Sequence, residues 1–378
     1  MGLFDIFKKK NKDAPKATPG VTFSPEFCID SDSPSFIKLL NQMQPSSQGL
    51  YPHEILMLHY AEKFTNHDDA FPLWWESRYS VTSPRRLLHS LFNRGFLALG
   101  GLENALERLT TKELKEELSA AGLNTNGKKA ELIERLLGNV DHEKLAQKHP
   151  EQYFVLTDYG AAEIAQNPYV IYQHKHPNYL SIYEMNVKLS NNPKELSYKD
   201  IQRKALQKNI SAASKADRVG LYRMALWHMY EFSKEEDSND YKAHLRLLCG
   251  ITAWDLSDIY YFDELENGSL IQEINNSSSR LKWKIEHYFP YQASCFKIHT
   301  AQDLATLQSQ LGLSDEKYRE AIIRHFERLD IPDNVFTRDE CIDIIFAEMH
   351  NQTEILEAVY NNAQKRMQQK YDQIVAEK

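Results

Sequence analysis

The stretch 109–137 constrains the fold of this chain more than any other. It reads LTTKELKEELSAAGLNTNGKKAELIERLL. Thr110 and Glu113 have the spacing of a capping box, and Gly122 has the position of a helix stop. Leucines recur at helical spacing on both sides of that stop, so each half carries one apolar face. The pattern predicts two short amphipathic helices that close on each other around a tight turn.

Three blocks of this stretch resemble the SAP motif, a helix-turn-helix-like DNA-binding module. They are ELK at 113–115, GL at 122–123 and GKKAELIERL at 127–136. The resemblance implies a SAP-like unit over 103–140. An acidic multidomain chain with one such motif also resembles the SAP-domain proteins of bacterial or prophage genomes.

The turn before the second helix offers a place for a phosphate. A helix N terminus presents unpaired backbone N–H groups and the positive end of the helix dipole, and Lys128 and Lys129 add positive charge there. The predicted DNA-binding residues are Thr125, Asn126, Gly127, Lys128, Lys129, Arg135 and Lys112. The alternative is an amphipathic helical hairpin with a solvated lysine pair.

Gly122, Gly127 and Lys128 also satisfy the G-x-x-x-x-G-K pattern of a phosphate-binding loop for nucleotides. Lys129 stands where that loop needs a serine or threonine to hold magnesium, and the stretch follows a predicted helix rather than a buried strand. A nucleotide-binding loop is therefore not predicted.

The charge balance makes any DNA contact local. The chain has a net charge of −8 and a pI near 6.0, so its surface as a whole does not favour nucleic acid. Within 109–137 the basic and acidic side chains nearly cancel. Two or three phosphate contacts would give a weak complex whose affinity falls with salt at a slope of roughly −2 to −3.

The segments on either side of this unit resemble the end of a winged helix. LHSLFNRGFL at 88–97 resembles the third helix and first wing strand, and YFVLTDYG at 153–160 the returning strand and closing helix. The SAP-like unit then takes the place of the wing's tip. Arg85, Arg86 and Arg94 would lie on a helix that often enters a major groove, as a second DNA-binding surface. The alternative is a solvated basic face on a protein-binding winged helix.

The predicted fold class is mainly α: a winged-helix-like N-terminal body carries the SAP helix-turn-helix-like unit, and an α-helical C-terminal region with a tetratricopeptide-like hairpin follows. The predicted domains are a basic tail and linker (1–20), the body (21–102 with 151–167), the SAP-like unit (103–140), a tyrosine-rich connector (168–197), a helical hairpin region (198–266) and C-terminal helices (280–378). Residues 1–12 combine apolar and lysine side chains, which fits a docking segment or a contact with a membrane surface.

No catalytic constellation is found, and we predict no enzyme activity, cofactor or metal. Four cysteines without a C-x-x-C pair, and no signal-peptide core, favour a reduced cytoplasmic protein. The predicted function is non-enzymatic, weak and largely phosphate-directed binding of double-stranded DNA, with a protein partner on the C-terminal helices. The alternative function is a helical protein adaptor that binds no nucleic acid.

Overall fold

The computed structural model describes residues 33–67, 70–192, 194–215, 219–256, 281–288, 298–329 and 335–377. Within these ranges the protein is mainly helical, as predicted, and has one two-stranded sheet. It divides into two compact units, Met1–Ile201 and Gln202–Lys378. The predicted basic tail at 1–20 lies outside the described residues.

Proline is the first residue of three helices in the first part of the first unit. The elements are α1 (Pro34–Leu40), α2 (Pro52–Tyr60), α3 (Trp74–Tyr79), α4 (Pro84–Asn93) and strand β1 (Leu97–Leu99), and one turn of 3-10 helix, Ala61–Lys63, extends α2. Proline suits the first helical turn because the N–H that it lacks would have no partner there. Helix α2 is the central element of this part, and its residues from Pro52 to Leu58 are buried.

Four helices then lie between two paired strands. They are α5 (Leu102–Arg108), α6 (Thr111–Ala120), α7 (Lys129–Asn139) and α8 (His142–Lys148), and strand β2 (Phe154–Leu156) follows them. The strands are antiparallel, with Leu97 opposite Leu156 and Leu99 opposite Phe154. The N–H of Gly100 also donates to the carbonyl of Tyr153 at 2.8 Å. The chain therefore leaves the sheet at Gly100 and returns to it at Tyr153.

The inserted helices have a hydrophobic core of their own. Its buried residues are Leu106, Leu114, Leu118, Leu132, Ile133, Leu136 and Leu145. The larger core around α2 takes no residue from 101–152. The insertion is thus a separately packed body that is joined to the rest of the unit at both ends.

Residues 168–197 correct the prediction of a connector. They follow α9 (Asp158–Gln166) and form α10 (Pro168–Lys175) and α11 (Ile182–Ser190), which bury several side chains in the core around α2. Pro168 begins a helix rather than interrupting the chain, and Ser181 with Glu184 forms a capping box at the start of α11. These residues are part of the first unit's fold.

The second unit is helical throughout its described residues. It begins within α12 (Tyr198–Lys215), whose first turn belongs to the first unit. The elements that follow are α13 (Val219–Glu236), α14 (Tyr241–Asp255), a π-helical turn (Lys284–Tyr288), α15 (Ala301–Leu311), α16 (Asp315–Phe326), α17 (Arg338–His350) and α18 (Thr353–Ala376). Every residue of α14 from His244 to Ala253 except Arg246 is buried, and the helix packs against α13, α15 and α16. The tetratricopeptide-like reading of 198–266 stays a prediction. In the part of the chain that the structure describes, no helix could cross a membrane.

A buried polar group lies at the start of α2. Glu54, which is 2% exposed, accepts a hydrogen bond from the N–H of Tyr51 at 2.8 Å and one from Arg94 Nη1 at 2.5 Å. Burial, together with the nearby Arg94 guanidinium, lowers the pKa of His53 to about 3. His53 is therefore neutral in the folded protein.

We expect the body of the first unit to fold without the insertion. In the test variant, residues 101–152 are replaced by an Asn-Gly turn, which suits a two-residue hairpin between Gly100 and Tyr153. Because the core around α2 takes no side chain from the insertion, thermal melting followed by circular dichroism should stay cooperative. A broad, non-cooperative transition would show that the insertion is a structural part of the body.

We expect the free energy of unfolding to fall as the pH drops below about 6.5, because unfolded His53 binds a proton that folded His53 does not bind until about pH 3. Between pH 7.5 and pH 5 this residue accounts for a loss of about 2 kcal/mol. Urea unfolding at both pH values should show a correspondingly smaller loss for His53→Phe. The exposed His67→Gln variant should behave as the wild type, and an unchanged loss in His53→Phe would refute the assignment.

Candidate nucleic-acid interface

The first helix of the motif begins at the predicted capping box. Thr110 Oγ1 accepts a hydrogen bond from the N–H of Glu113 at 3.2 Å, and the N–H of Thr110 donates to Glu113 Oε2 at 2.6 Å. This backbone hydrogen bond lowers the pKa of the Glu113 carboxyl. Leu114 and Leu118 then point into the core of the insertion. The start and apolar face of α6 are thus as predicted.

Gly122 ends this helix and the following turn folds back onto it. Gly122 has φ +69°, the left-handed conformation that glycine adopts without strain, and the N–H of Leu123 donates to the carbonyl of Leu118 at 2.8 Å. Arg135 Nη1 donates to the carbonyls of Asn124 and Asn126 at 2.6 and 2.9 Å. Arg135 therefore holds the turn in place.

The N terminus of α7 faces solvent. Lys128, its N-cap residue, is exposed, and its N–H donates to Glu131 Oε2 at 3.0 Å. The side chain of Lys128 does not accept a hydrogen bond from the first amides of α7, whereas that of Thr110 does so in α6. These N–H groups and the helix dipole leave α7 with the features that bind an anion.

The two lysines at this terminus have different surroundings. Lys129 Nζ donates to the carbonyl of Glu107 at 2.6 Å, which ties the start of α7 to the last turn of α5. Among the described residues, no hydrogen bond or ion pair engages the side chain of Lys128. Lys112, on α6, is exposed and lies 3.8 Å from Glu116. Lys128 is thus the cation that is most available to a phosphate.

The other predicted contacts surround the same turn. Thr125 is half-buried and Asn126 is exposed, and the N–H of Asn126 donates to Asn124 Oδ1 at 2.8 Å. Gly127 has φ +134°. The structure therefore brings residues 125–129 together at the start of α7 and places Arg135 behind them as a support.

Arg108 joins the insertion to the body. This residue ends α5, and its guanidinium lies 5.3 Å from the centre of the Tyr153 ring and 3.9 Å from the carboxylate of Glu62. Glu62 belongs to the body, and Tyr153 stands where the chain returns to the sheet. These contacts orient the insertion with respect to the body, although an exposed ion pair of this length adds little stability.

Arg94 is a correction to the predicted second DNA-binding surface. Its guanidinium pairs with buried Glu54 and donates to the carbonyl of Gly49 at 3.3 Å, so it serves the core of the unit. Arg85 donates to the carbonyl of His67 at 2.6 Å and lies 5.9 Å from the centre of the Phe71 ring. Arg86 is exposed on α4. The three arginines do not form one basic face.

The sequence pattern did not reveal the role of His174. It is half-buried, and its two ring nitrogens form hydrogen bonds with the hydroxyls of Tyr60 (2.8 Å) and Tyr79 (2.7 Å). Burial lowers its pKa to about 4. The dense aromatic run around Trp74 was the available signal. Across the described ranges, no three His, Cys, Asp or Glu side chains lie close enough to hold a metal.

We expect Gly127→Ala to destabilise the insertion, since φ +134° strains any residue with a Cβ and that atom would lie 2.5 Å from Glu131 Oε2. The expected cost is about 1 kcal/mol or more. Chemical unfolding followed by circular dichroism measures it.

Gly138→Ala is the matched control for this substitution. Gly138 lies inside α7, the helix that follows Gly127, and an added Cβ would meet no atom within 4 Å. Because alanine favours a helix interior over glycine by roughly 0.5–1 kcal/mol, this variant should be as stable as the wild type or more stable. Equal effects of the two substitutions would contradict the special conformation of Gly127.

The comparison with known protein families agrees with this geometry. Residues 105–141 match the SAP domain, which extends from within α5 to the residue before α8. The match covers about a tenth of the chain. No curated protein matches the sequence. The match confirms the predicted SAP motif. Because SAP domains are a known DNA-binding motif, a DNA-binding role is compatible with this match.

Proposed function

We propose that this protein binds double-stranded DNA through its SAP domain, without enzymatic activity, and that the contacts are largely to phosphates. The observation that carries the proposal is the solvent-facing N terminus of α7, with Lys128 beside it, inside a region that matches a DNA-binding family. Backbone N–H groups and a lysine at one helix end are complementary to a phosphate oxygen.

Two other cations of the motif support this contact by fixing its shape. Arg135 fastens the turn, and Lys129 holds the start of α7 against the end of α5. The turn therefore needs little rearrangement on binding, which limits the entropic cost of association. A contact that is already ordered can contribute to affinity although it involves few groups.

The neighbouring carboxylates keep the binding weak. Glu131 lies at the N terminus of α7 and occupies the N–H of Lys128, and Glu134 is exposed one residue before Arg135. Both repel a phosphate at short range. Low affinity, with a shallow salt dependence set by two or three phosphate contacts, follows from this arrangement.

In this proposal the body of the first unit holds the SAP domain in position. Helices α2, α3 and α4 followed by the β1–β2 pair have the order of a winged helix, and the isolated antiparallel bridge between Thr65 and Tyr153 adds a third strand position. In this proposal the SAP domain and α8 replace the tip of the wing. Arg85 and Arg86 on α4 could then reach a neighbouring phosphate.

The helical second unit would contact a protein partner, and a bacterial or prophage origin and a cytoplasmic location stay predictions. The competing function is the helical adaptor, in which the SAP domain and the body are scaffolding. The two functions differ in one measurable property, which is duplex binding at low salt. An adaptor of this kind would show none.

We expect Lys128→Glu to weaken duplex binding by about five- to tenfold at low salt, because the substitution removes one phosphate contact and adds a repulsive charge. The plot of log K against log salt should also lose about one unit of slope. Fluorescence anisotropy with a labelled duplex, titrated at two salt concentrations, measures both quantities.

Lys144→Glu is the control for the change in net charge. Lys144 is exposed on α8, outside the matched domain. It should bind the duplex within about twofold of the wild type. If Lys128→Glu also binds as the wild type does, the SAP domain is not the DNA contact. If the wild type itself does not bind, the adaptor function replaces the proposal.

A further inference from the structure

A groove lies between α14 and α16 in the second unit. Its volume is about 570 Å³, within the range of roughly 300–1,000 Å³ that is usual for binding pockets. Four apolar side chains form much of its lining: Leu245, Leu311, Leu313 and Ala321. Leu245 is buried, and the other three are half-buried. The floor of the groove is therefore aliphatic.

Exposed basic side chains stand along both sides of this floor. Lys242 and Arg246 are four residues apart on α14 and therefore lie on one face of that helix. Arg324 lies in the last turn of α16, and Arg328 follows two residues after its end. The only acidic lining residue is Asp240, whose carboxylate already accepts a hydrogen bond from the N–H of Ala243 at 3.1 Å.

These cations differ from the other arginines of the unit, several of which are paired. The ion pairs are Arg203 with Asp237, Arg223 with Asp255, Arg319 with Asp343 and Arg366 with Glu340. In the groove, Arg324 lies 3.8 Å from Glu320, and no carboxylate among the described residues pairs with Arg246 or Arg328. The cations remain available although Gln202–Lys378 has 22 basic and 28 acidic residues.

The pKa of His325 is affected by several of these charges together. Burial lowers its pKa, and Arg328, Arg246 and Arg324 lower it further. Guanidinium groups from both helices therefore act on one imidazole at the groove. Apart from the contact between Arg324 and Glu320, no ion pair within the described residues engages the basic residues of the groove.

We propose that this groove binds an acidic peptide segment that carries an aliphatic or aromatic anchor side chain. The anchor fills the aliphatic floor, and carboxylates on either side of it meet Arg246, Arg324 and Arg328. Guanidinium groups match carboxylates in bidentate geometry, and an apolar side chain loses no hydrogen bonds when it is buried. This site does not depend on the DNA-binding function proposed for the SAP domain.

The lining favours a peptide over a nucleic acid. A base that entered the groove would bury its polar edge against Leu311, Leu313 and Ala321, which offer no hydrogen-bond partners. A rigid duplex would reach the rim and leave the floor empty. A leucine or phenylalanine flanked by glutamates is complementary to the floor and to the rim together.

The experiment uses the full chain and a fluorescein-labelled decapeptide in which glutamates flank a central Leu-Phe pair. Anisotropy at low salt should detect binding, and Arg246→Glu/Arg328→Glu should weaken it about tenfold or more because both sides of the rim change sign. A peptide with Ser-Ser in place of Leu-Phe should bind about fivefold more weakly or worse. Circular dichroism checks the fold, and Arg246→Gln/Arg328→Gln replaces the variant if it does not fold.

Lys204→Glu/Lys208→Glu is the matched control, since these lysines are exposed, lie four residues apart in the same unit and do not line the groove. It should bind the peptide within about twofold of the wild type. Equal loss in both double variants would overturn the site, as would absence of peptide binding. Equal affinity of the Ser-Ser peptide would overturn the anchor. Binding of labelled oligothymidine that needs Arg246 and Arg328, without peptide binding, would make the groove a nucleic-acid site.

Discussion

The position of the SAP domain depends on a ladder of three residue pairs. Leu97–Leu99 and Phe154–Leu156 fix both ends of a segment of about fifty residues, and closing so long a loop costs entropy. The loop can be this long because its four helices bury leucines of their own. The sheet supplies a stable attachment, and the insertion supplies its own fold. A domain too small to be very stable alone gains a fixed position on a larger body.

Most of the positive charge that the sequence offered for DNA has a structural use. Arg94 neutralises a buried glutamate, Arg135 closes a turn, and Lys129 meets the carbonyl of Glu107 at the end of α5. Each of these cations already contacts oxygen atoms of the protein. A phosphate would have to replace those contacts in order to bind the same cation. Lys128 is different because its side chain has no such partner among the described residues. The DNA contact is therefore determined by which cation is available and not by how many cations the motif contains.

Local signals in the sequence predicted local structure well. The Thr110 capping box and the Gly122 stop follow from side chains within a few residues of one another. The partners of Arg94 could not be predicted in the same way, since Glu54 lies 40 residues away along the chain. His174 likewise meets tyrosines that are more than 90 residues distant. Such pairings depend on tertiary packing, which one sequence does not display.

The same reasoning explains why the second unit has a site that the sequence did not reveal. Lys242 and Arg246 look like an ordinary solvated helix face, and Arg324 and Arg328 look like ordinary solvated residues at and after the end of a helix. They come to line one groove only when α14 and α16 pack against each other, together with Leu311 and Leu313. A duplex and an acidic peptide both seek positive charge, so an exposed basic patch alone could not separate them. The aliphatic floor separates these two ligands. Burial of an apolar side chain there is favourable, whereas burial of the polar edge of a base costs free energy.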